Sequence, residues 1–280
     1  MSDSRTRRLI LTCVAGLTAL LVVIIAGKSA FGKRAGQEAE THPVPVNLNE
    51  TLKNEMSDTS SLAGFDKMVQ NYLTYWGIHG ASISVMRNDS LLFAKGYGEA
   101  DSGKKMEPGN ILRMASVSKL VTAVGIMVLQ ERGLLNLKDH VFGPDGILND
   151  STYNAAIKDT LYYRITVEDL LRHKGGFSKR GGDPMFSTRW IMMQNGWSEV
   201  PSQERLMEVQ LKRRLKFVPG SAQEYSNFGY LALSMVIEKV SGMDYETFIQ
   251  ENVLRPVGCV DFHIAGNYYK HKFPNETRYY

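Results

Sequence analysis

Cysteine is nearly absent from this 280-residue chain, which contains only Cys13 and Cys259. The first lies in an apolar run near the amino terminus and the second lies far downstream, so we do not expect a disulfide between them. A disulfide-rich extracellular module is therefore excluded, and an exported protein without disulfides fits a bacterial envelope. With 43% hydrophobic residues, the chain can bury a substantial core.

The chain also lacks a strong excess of charge of one sign. Its 33 basic and 29 acidic residues give a net charge of +4, part of which lies in the amino-terminal arm. This balance gives no basis for nucleic-acid binding. The six histidines show no ligand-like pairing, and there is no His-Glu-x-x-His motif. We therefore expect no metal, no other cofactor and no nucleic-acid partner.

One long hydrophobic run is present, residues 9–27, which read LILTCVAGLTALLVVIIAG and include no charge over nineteen residues. A run of this length can span a bilayer. A cleaved secretory signal is the alternative, but Lys28-Ser29-Ala30 is a poor cleavage site. A buried helix of a soluble fold is disfavoured by the terminal position between basic clusters. We expect a membrane anchor within residues 1–34, with the domain in the periplasm or another extracytoplasmic space.

Residues 35–59 are polar and contain two prolines, so they are predicted to be a linker that leads to a domain over residues 60–280. The domain is predicted to begin with an amphipathic helix that ends at Gly77. Its apolar side chains recur at steps of three and four, at Phe65, Met68, Val69, Tyr72, Leu73 and Trp76. The aromatic ones among them are expected in the core. A hairpin is predicted to follow, with strands over 81–86 and 91–94.

Ser116 and Lys119 lie three residues apart at the start of an apolar helical segment that runs to Gly133. Residues i and i+3 share one helix face, so the lysine amine can reach the serine hydroxyl. A lysine can take the proton of a serine when burial or nearby positive charge lowers its pKa. A second Ser-x-x-Lys match, Ser102 to Lys105, lies in a polar segment that is predicted to be a solvated loop.

Tyr225 and Asn227 form the only Tyr-x-Asn sequence in the chain. Two residues apart in an extended segment, they project to the same side. A phenol and an amide suit a site that needs a proton shuttle and a hydrogen-bond donor to a substrate amide or carbonyl. The alternative is a buried tyrosine beside a helix-capping asparagine.

His173 follows a predicted short helix that starts with the capping sequence Thr166-Val167-Glu168-Asp169. It could join Ser116 as a catalytic histidine, but the glycines that follow it favour a helix end and a turn. Farther along, residues 181–196 contain several glycines together with methionine and tryptophan, and we expect a loop near the site.

Four ordered segments of the chain carry a resemblance to a known family. They are Leu112–Lys119, Leu170–Gly176, Pro219–Gly220 with Tyr225–Tyr230, and Ile237–Gly242. From about residue 80 to residue 257 the chain resembles the penicillin-recognising serine hydrolases, and class C β-lactamases, D-aminopeptidases, D,D-peptidases and esterases in particular. The resemblance implies an α/β (α+β) fold of the β-lactamase type, in which an antiparallel sheet flanked by helices is joined to an all-helical subdomain.

The same resemblance implies a covalent acyl-enzyme mechanism. Ser116 would be the nucleophile, Lys119 would share its proton, Tyr225 would act as base and then protonate the leaving group, and Asn227 would hold the substrate amide. The backbone N–H of Ser116 would form half of the oxyanion hole. The expected partner is a small-molecule or peptide substrate, either peptidoglycan-like, a β-lactam or an ester.

One element of the family pattern is missing from the sequence. The family has a third motif, a Lys or His with a Gly two residues later, on a strand downstream of Tyr-x-Asn. After Tyr225 no such spacing occurs, and His263-Ile264-Ala265-Gly266 is one residue too long. The sheet is therefore expected to be incomplete at the carboxyl end, in a fragment or a truncated protein. A catalytically inactive binding or sensor module remains the alternative to a hydrolase, and a purely structural membrane protein is a weaker one.

Overall fold

The computed structural model describes residues 47–180 and 182–279. The predicted anchor over 1–34, with its apolar run 9–27, lies outside the described residues, as do residues 35–46 of the predicted linker. Within the described part of the chain, no helix combines the length and the apolar character needed to cross a membrane. The membrane anchor therefore stays a prediction.

The sheet consists of three antiparallel strands, β1 (Gly80–Arg87), β2 (Ser90–Asp101) and β3 (Lys104–Lys105), in that spatial order. Asn88 and Asp89 form the turn between β1 and β2 with positive φ angles of 49° and 58°. Asparagine and aspartate tolerate this left-handed conformation better than most residues, which explains their place in the turn. The predicted hairpin is confirmed, and both strands extend beyond the predicted bounds.

Helix α1 (Leu48–Thr51) and a 3-10 turn (Asn54–Ser57) lie within the predicted linker. The Asn54 side chain accepts a hydrogen bond from the Gly96 N–H at 2.7 Å and donates to the Met106 carbonyl at 2.7 Å. The buried hydroxyl of Ser57 donates to the Ala94 carbonyl of β2 at 2.8 Å. Because these polar side chains satisfy backbone groups of the sheet, the last part of the predicted linker belongs to the folded domain.

Helix α2 (Ala63–Trp76) follows a second 3-10 turn (Ser60–Leu62) and ends at Gly77, which has a left-handed φ of 63°. Val69 and Leu73 are buried against Phe93 and Tyr97 of β2. The expectation that the aromatic residues of this helix lie in the core was wrong for Tyr72 and Trp76, whose exposed fractions are 59% and 63%. Met68 is also exposed, at 60%.

The reason for this exposure is the narrow contact between helix and sheet. Val69 and Leu73 are four residues apart and define the stripe of α2 that faces β2. Met68, Tyr72 and Trp76 form a neighbouring stripe, and a small sheet can cover only one stripe of a helix. The periodicity predicted the helix correctly but overestimated the width of its buried face.

The rest of the described chain is mainly helical. Its α-helices are α3 (Ser118–Glu131), α4 (Ser151–Ala156), α5 (Val167–Leu171), α6 (Thr188–Asn195), α7 (Gln203–Leu211), α8 (Asn227–Ser241) and α9 (Tyr245–Ile249). The other helical segments of this part are the 3-10 segments Ala115–Val117, Thr160–Arg164, Arg255–Val257 and Tyr269–His271, and the π-helical Gln250–Leu254. Helix α6 occupies the second half of 181–196, so the loop prediction was wrong there.

Helices α3 and α8 form the centre of the hydrophobic core. Ile126 and Leu129 of α3 and Val236 and Ile237 of α8 are fully buried. Gly125 permits the close approach, because a Cβ atom there would lie 3.1 Å from the Ile237 side chain of α8 and 2.8 Å from the Ile249 side chain of α9. The amino-terminal ends of α3 and α8 thereby come close together. The small antiparallel sheet and the helical part confirm the predicted fold class.

Candidate active site

Ser116 lies in the 3-10 turn Ala115–Val117, which leads directly into α3. The sequence predicted one continuous helix, whereas the structure places this tighter turn before it. Ala115 has a φ of 45°, a left-handed conformation that is uncommon and strained for alanine. Lys119 lies in the first turn of α3, and its Nζ is 3.4 Å from the Ser116 Oγ.

Tyr225 comes from the other side of the site, in the extended segment before α8. Ser226 caps this helix by accepting a hydrogen bond from the Gly229 N–H at 3.0 Å. The Tyr225 Oη lies 2.6 Å from the Ser116 Oγ. Tyr225 is 42% exposed, so the pair of hydroxyls is accessible from solvent. The alternative of a buried tyrosine is therefore excluded.

Asn227 is the first residue of α8 and not its cap. Its Oδ1 accepts a hydrogen bond from the Lys119 Nζ at 2.9 Å. Its Nδ2 donates to the Asp183 Oδ2 at 2.8 Å. The structure thus brings all four side chains singled out from the sequence, Ser116, Lys119, Tyr225 and Asn227, into one hydrogen-bonded network.

The surroundings of Tyr225 favour its ionised form. Burial raises the pKa of the phenol, but hydrogen bonds with Lys119 and Ser116 and the charge of Lys119 lower it, and the resulting pKa is below the ordinary value. The Lys119 Nζ also lies 4.8 Å from the centre of the Tyr225 ring. A phenol with a lowered pKa, at hydrogen-bond distance from a hydroxyl, can accept the proton of that hydroxyl.

His173 supports the Tyr225 segment. Its Nδ1 accepts a hydrogen bond from the Ser226 N–H at 3.2 Å, and its carbonyl accepts from the Glu224 N–H at 2.9 Å. Its ring centre lies 4.6 Å from that of Tyr225. Because Nδ1 is an acceptor, the ring proton of neutral His173 is on Nε2. Its φ of 57° and the capping box of α5 agree with the predicted helix end and turn.

Asp183 was not singled out from the sequence, although it contacts Asn227. No local motif surrounds it, since an aspartate beside glycines is typical of any turn. The one feature of the sequence that pointed to Asp183 was its position within residues 181–196, which were predicted to lie near the site.

A cavity of about 540 Å³ lies beside the nucleophile turn and is lined by Ala115, Ser118 and Val121 among others. None of the four networked side chains lines it. The reactive groups therefore face a different surface. Over residues 47–180 and 182–279, no group of three or more His, Cys, Asp or Glu residues could hold a metal ion.

This fold and this arrangement of serine, lysine and tyrosine define the class of penicillin-recognising serine hydrolases. The family model described as Beta-lactamase matches residues 65–274. The chain therefore belongs to the beta-lactamase family.

Individual relatives agree with this assignment. The chain is 26% identical over 215 residues to a putative D-alanyl-D-alanine carboxypeptidase of Escherichia coli (strain K12), a match that covers 70% of this chain and 47% of the relative. It is 29% identical over 196 residues to protein flp of Staphylococcus aureus (strain N315), with coverages of 69% and 36%. The chain thus spans less than half the length of these two curated relatives.

A solved structure is similar in fold. The D-amino acid amidase from Ochrobactrum anthropi SV3, complexed with L-phenylalanine amide, has a TM-score of 0.58 at 20% identity. The match covers 78% of this chain and 58% of the amidase. At this level of identity the similarity concerns the fold alone.

Proposed function

We propose that the protein is a serine hydrolase that forms an acyl-enzyme on Ser116 with an amide, lactam or ester carbonyl. The observation that carries this proposal is the position of the Ser116 Oγ, which lies 2.6 Å from the Tyr225 Oη and 3.4 Å from the Lys119 Nζ. A hydroxyl between a basic phenol and an amine matches the arrangement of an activated nucleophile.

In the first step, Tyr225 takes the proton of Ser116 while the Ser116 Oγ attacks the substrate carbonyl carbon. Lys119 stabilises the ionised phenol through its charge and its hydrogen bond. When the tetrahedral intermediate collapses, the bond to the leaving nitrogen or oxygen breaks and Tyr225 gives its proton to the leaving group. Water then attacks the serine ester, again with Tyr225 as base, and releases the acid and free Ser116.

Negative charge develops on the carbonyl oxygen during this attack. The backbone N–H of Ser116 supplies one donor to that oxygen in this mechanism. Asn227, a half-buried member of the same network, holds the substrate amide in this mechanism.

The substrate class follows from the chemistry of the site and from the names of relatives. A small molecule or peptide is expected, with a peptidoglycan-like peptide, a β-lactam or an ester as candidates. The carboxypeptidase relative supports a D-alanyl peptide. We also place the domain outside the cytoplasm and attach it to the membrane through residues 9–27, on the basis of their hydrophobicity.

A catalytically inactive binding or sensor module is the second candidate. Residues 226–279 contain no Lys-x-Gly or His-x-Gly sequence, which is the third motif of the family in the resemblance. The second oxyanion donor comes from that motif, and loss of one such donor costs about 100- to 1000-fold in rate. A module of this kind would bind the ligand without forming a covalent bond.

Covalent labelling discriminates the two candidates. We expect a fluorescent penicillin or a fluorophosphonate to label the wild-type protein and not Ser116→Ala. Ser102→Ala is the matched control, because Ser102 belongs to the second Ser-x-x-Lys sequence and lies in an exposed turn. Labelling that persists in Ser116→Ala would remove Ser116 as nucleophile. Ligand binding without labelling, in a folded wild-type protein, would establish the binding module.

A further inference from the structure

The amide of Asn227 has two possible orientations, which differ by a rotation that exchanges oxygen and nitrogen. Only one of them places Oδ1 against the Lys119 Nζ, at 2.9 Å. In the other orientation, two groups that can only donate hydrogen bonds would face each other. Lys119 therefore favours the observed orientation from one side, and a neighbour on the opposite side of the amide can reinforce it.

Asp183 is that neighbour. Its Oδ2 accepts a hydrogen bond from the Asn227 Nδ2 at 2.8 Å. An ionised carboxylate only accepts hydrogen bonds, just as the Lys119 ammonium only donates them. With an acceptor on one side and a donor on the other, the amide of Asn227 has a single satisfied orientation.

The Asp183 carboxylate is itself held in place. Its Oδ1 accepts a hydrogen bond from the Met185 N–H at 3.0 Å. Its backbone carbonyl accepts from the N–H groups of Phe186 and Ser187 at 3.0 and 2.8 Å. On the preceding residue, the Gly182 carbonyl accepts from the Arg213 Nη1 at 2.8 Å. These bonds fix the loop, so Oδ2 is presented to Asn227 from a defined position.

If Asp183 served only to form a turn, the contact of one of its two carboxylate oxygens would be unexplained. The bond from Met185 to Oδ1 forms an ordinary aspartate turn at the approach to α6. That turn does not require Oδ2, which points at the site and carries the bond to Asn227. The charge of Asp183 also opposes that of Lys119 at Tyr225, where it raises the pKa of the phenol.

We propose that Asp183 is a positioning residue of the active site, which orients the Asn227 amide so that its oxygen faces Lys119 beside Ser116. The effect of Asp183 on the rate of acylation rests on the proposed function. Its effect on the hydrogen bonds among Asn227, Lys119 and Tyr225 does not.

The experiment compares wild type with Asp183→Asn and Asp183→Ala. Asparagine keeps the turn, because its carbonyl can still accept from Met185, but it removes the charge and can also donate to Asn227. We expect Asp183→Asn to acylate more slowly by on the order of 10- to 100-fold, as for other small displacements of catalytic groups. Asp145→Asn, at an exposed aspartate, is the control and should retain the wild-type rate.

A second readout is independent of activity. Tyrosine labelled with ¹³C at Cζ reports the ionisation of Tyr225, with Tyr225→Phe used to assign the signal. The groups around this phenol are Lys119, Ser116, Asp183, His173 and Tyr230. Because Asp183 raises the pKa of Tyr225, we expect a lower pKa in Asp183→Asn and an unchanged one in Asp145→Asn.

The outcomes separate the two proposals. If wild type shows no Ser116-dependent labelling, the proposed hydrolase fails, and the titration of Tyr225 then tests only whether Asp183 acts on the network. If wild type is labelled but Asp183→Asn retains both the rate and the Tyr225 titration, the positioning role is overturned and the hydrolase stands. Should Asp183→Ala not fold, Asp183→Asn still gives the answer.

Discussion

The Nδ1 atom of His173 accepts a hydrogen bond from the Ser226 N–H at 3.2 Å, which ties the end of one helix to the start of another across 53 residues. The bond is possible only while Nδ1 carries no proton. It places Tyr225, the residue before Ser226, against the His173 ring. The alignment of Tyr225 with Ser116 therefore depends on the protonation state of a histidine outside the reacting network.

This dependence predicts how stability changes with pH. Burial and the charges of Lys119 and Lys179 lower the pKa of His173. A histidine whose pKa is lowered in the folded state stabilises the fold at pH values above its ordinary pKa of about 6.5. That contribution is lost as the pH falls through the lowered pKa. We expect His173→Asn, which tolerates the positive φ, to lose about 1 kcal/mol at pH 7.5 through the missing hydrogen bond.

Urea unfolding at pH 7.5 and pH 5 checks this prediction. The difference in stability between wild type and His173→Asn should shrink at the lower pH, because below about 6.5 the unfolded wild-type histidine takes up a proton that the folded one resists. A difference that stays constant between the two pH values would show that protonation of His173 does not affect the fold.

Tyr225→Phe tests the proposed base. Acylation should fall by about 100- to 10,000-fold, the usual contribution of a general base. In wild type the rate should rise with pH as the phenol ionises, with a midpoint below the ordinary tyrosine value because the pKa is lowered. This rise should vanish in Tyr225→Phe and persist in Tyr72→Phe, a change at an exposed tyrosine of α2. Equal rates for Tyr225→Phe and wild type would contradict the role of Tyr225 as base.

The attachment of α2 to the sheet depends on Asp66. Its carboxylate accepts hydrogen bonds from the Lys95 Nζ at 2.8 Å and the Tyr97 hydroxyl at 2.7 Å, and both lower its pKa. We expect Asp66→Asn to lower the free energy of unfolding by about 1 kcal/mol at neutral pH. A carboxylate whose pKa is lowered in the folded state stabilises the fold at pH values above its ordinary pKa near 3.9. This stabilisation is lost as the pH falls through the lowered pKa. Acid titrations of unfolding should therefore converge for wild type and variant at low pH.

Two glycines in helices should respond to alanine with opposite signs. Alanine at position 125 would bring its Cβ to 2.8 Å from the Ile249 side chain and 3.1 Å from that of Ile237. We expect Gly125→Ala to destabilise the protein by about 1–3 kcal/mol through overpacking. Gly64→Ala in α2 has no neighbour within 4 Å and should stabilise by about 0.5–1 kcal/mol. Chemical denaturation of both variants measures this, and stabilisation by Gly125→Ala would refute the close packing of α3.

Much of the fold could be predicted from local patterns. The spacing of apolar residues predicted α2, the turn residues Asn88 and Asp89 predicted the hairpin, and the capping sequence at Thr166 predicted α5. These features are encoded within a few residues of chain, so propensity and periodicity suffice. The exposure of Tyr72 and Trp76 was missed, because burial depends on which element covers a helix face.

The sequence alone determined that a serine and a lysine share one turn and that a tyrosine and an asparagine follow more than a hundred residues later. Tertiary structure alone decided that these pairs meet at 2.6 Å, and that Asp183 completes their network. The physical reason is distance along the chain. Local patterns fix the direction of a side chain on its own helix, whereas contacts between α3, α8 and the loop before α6 arise only when the shared core brings their ends together.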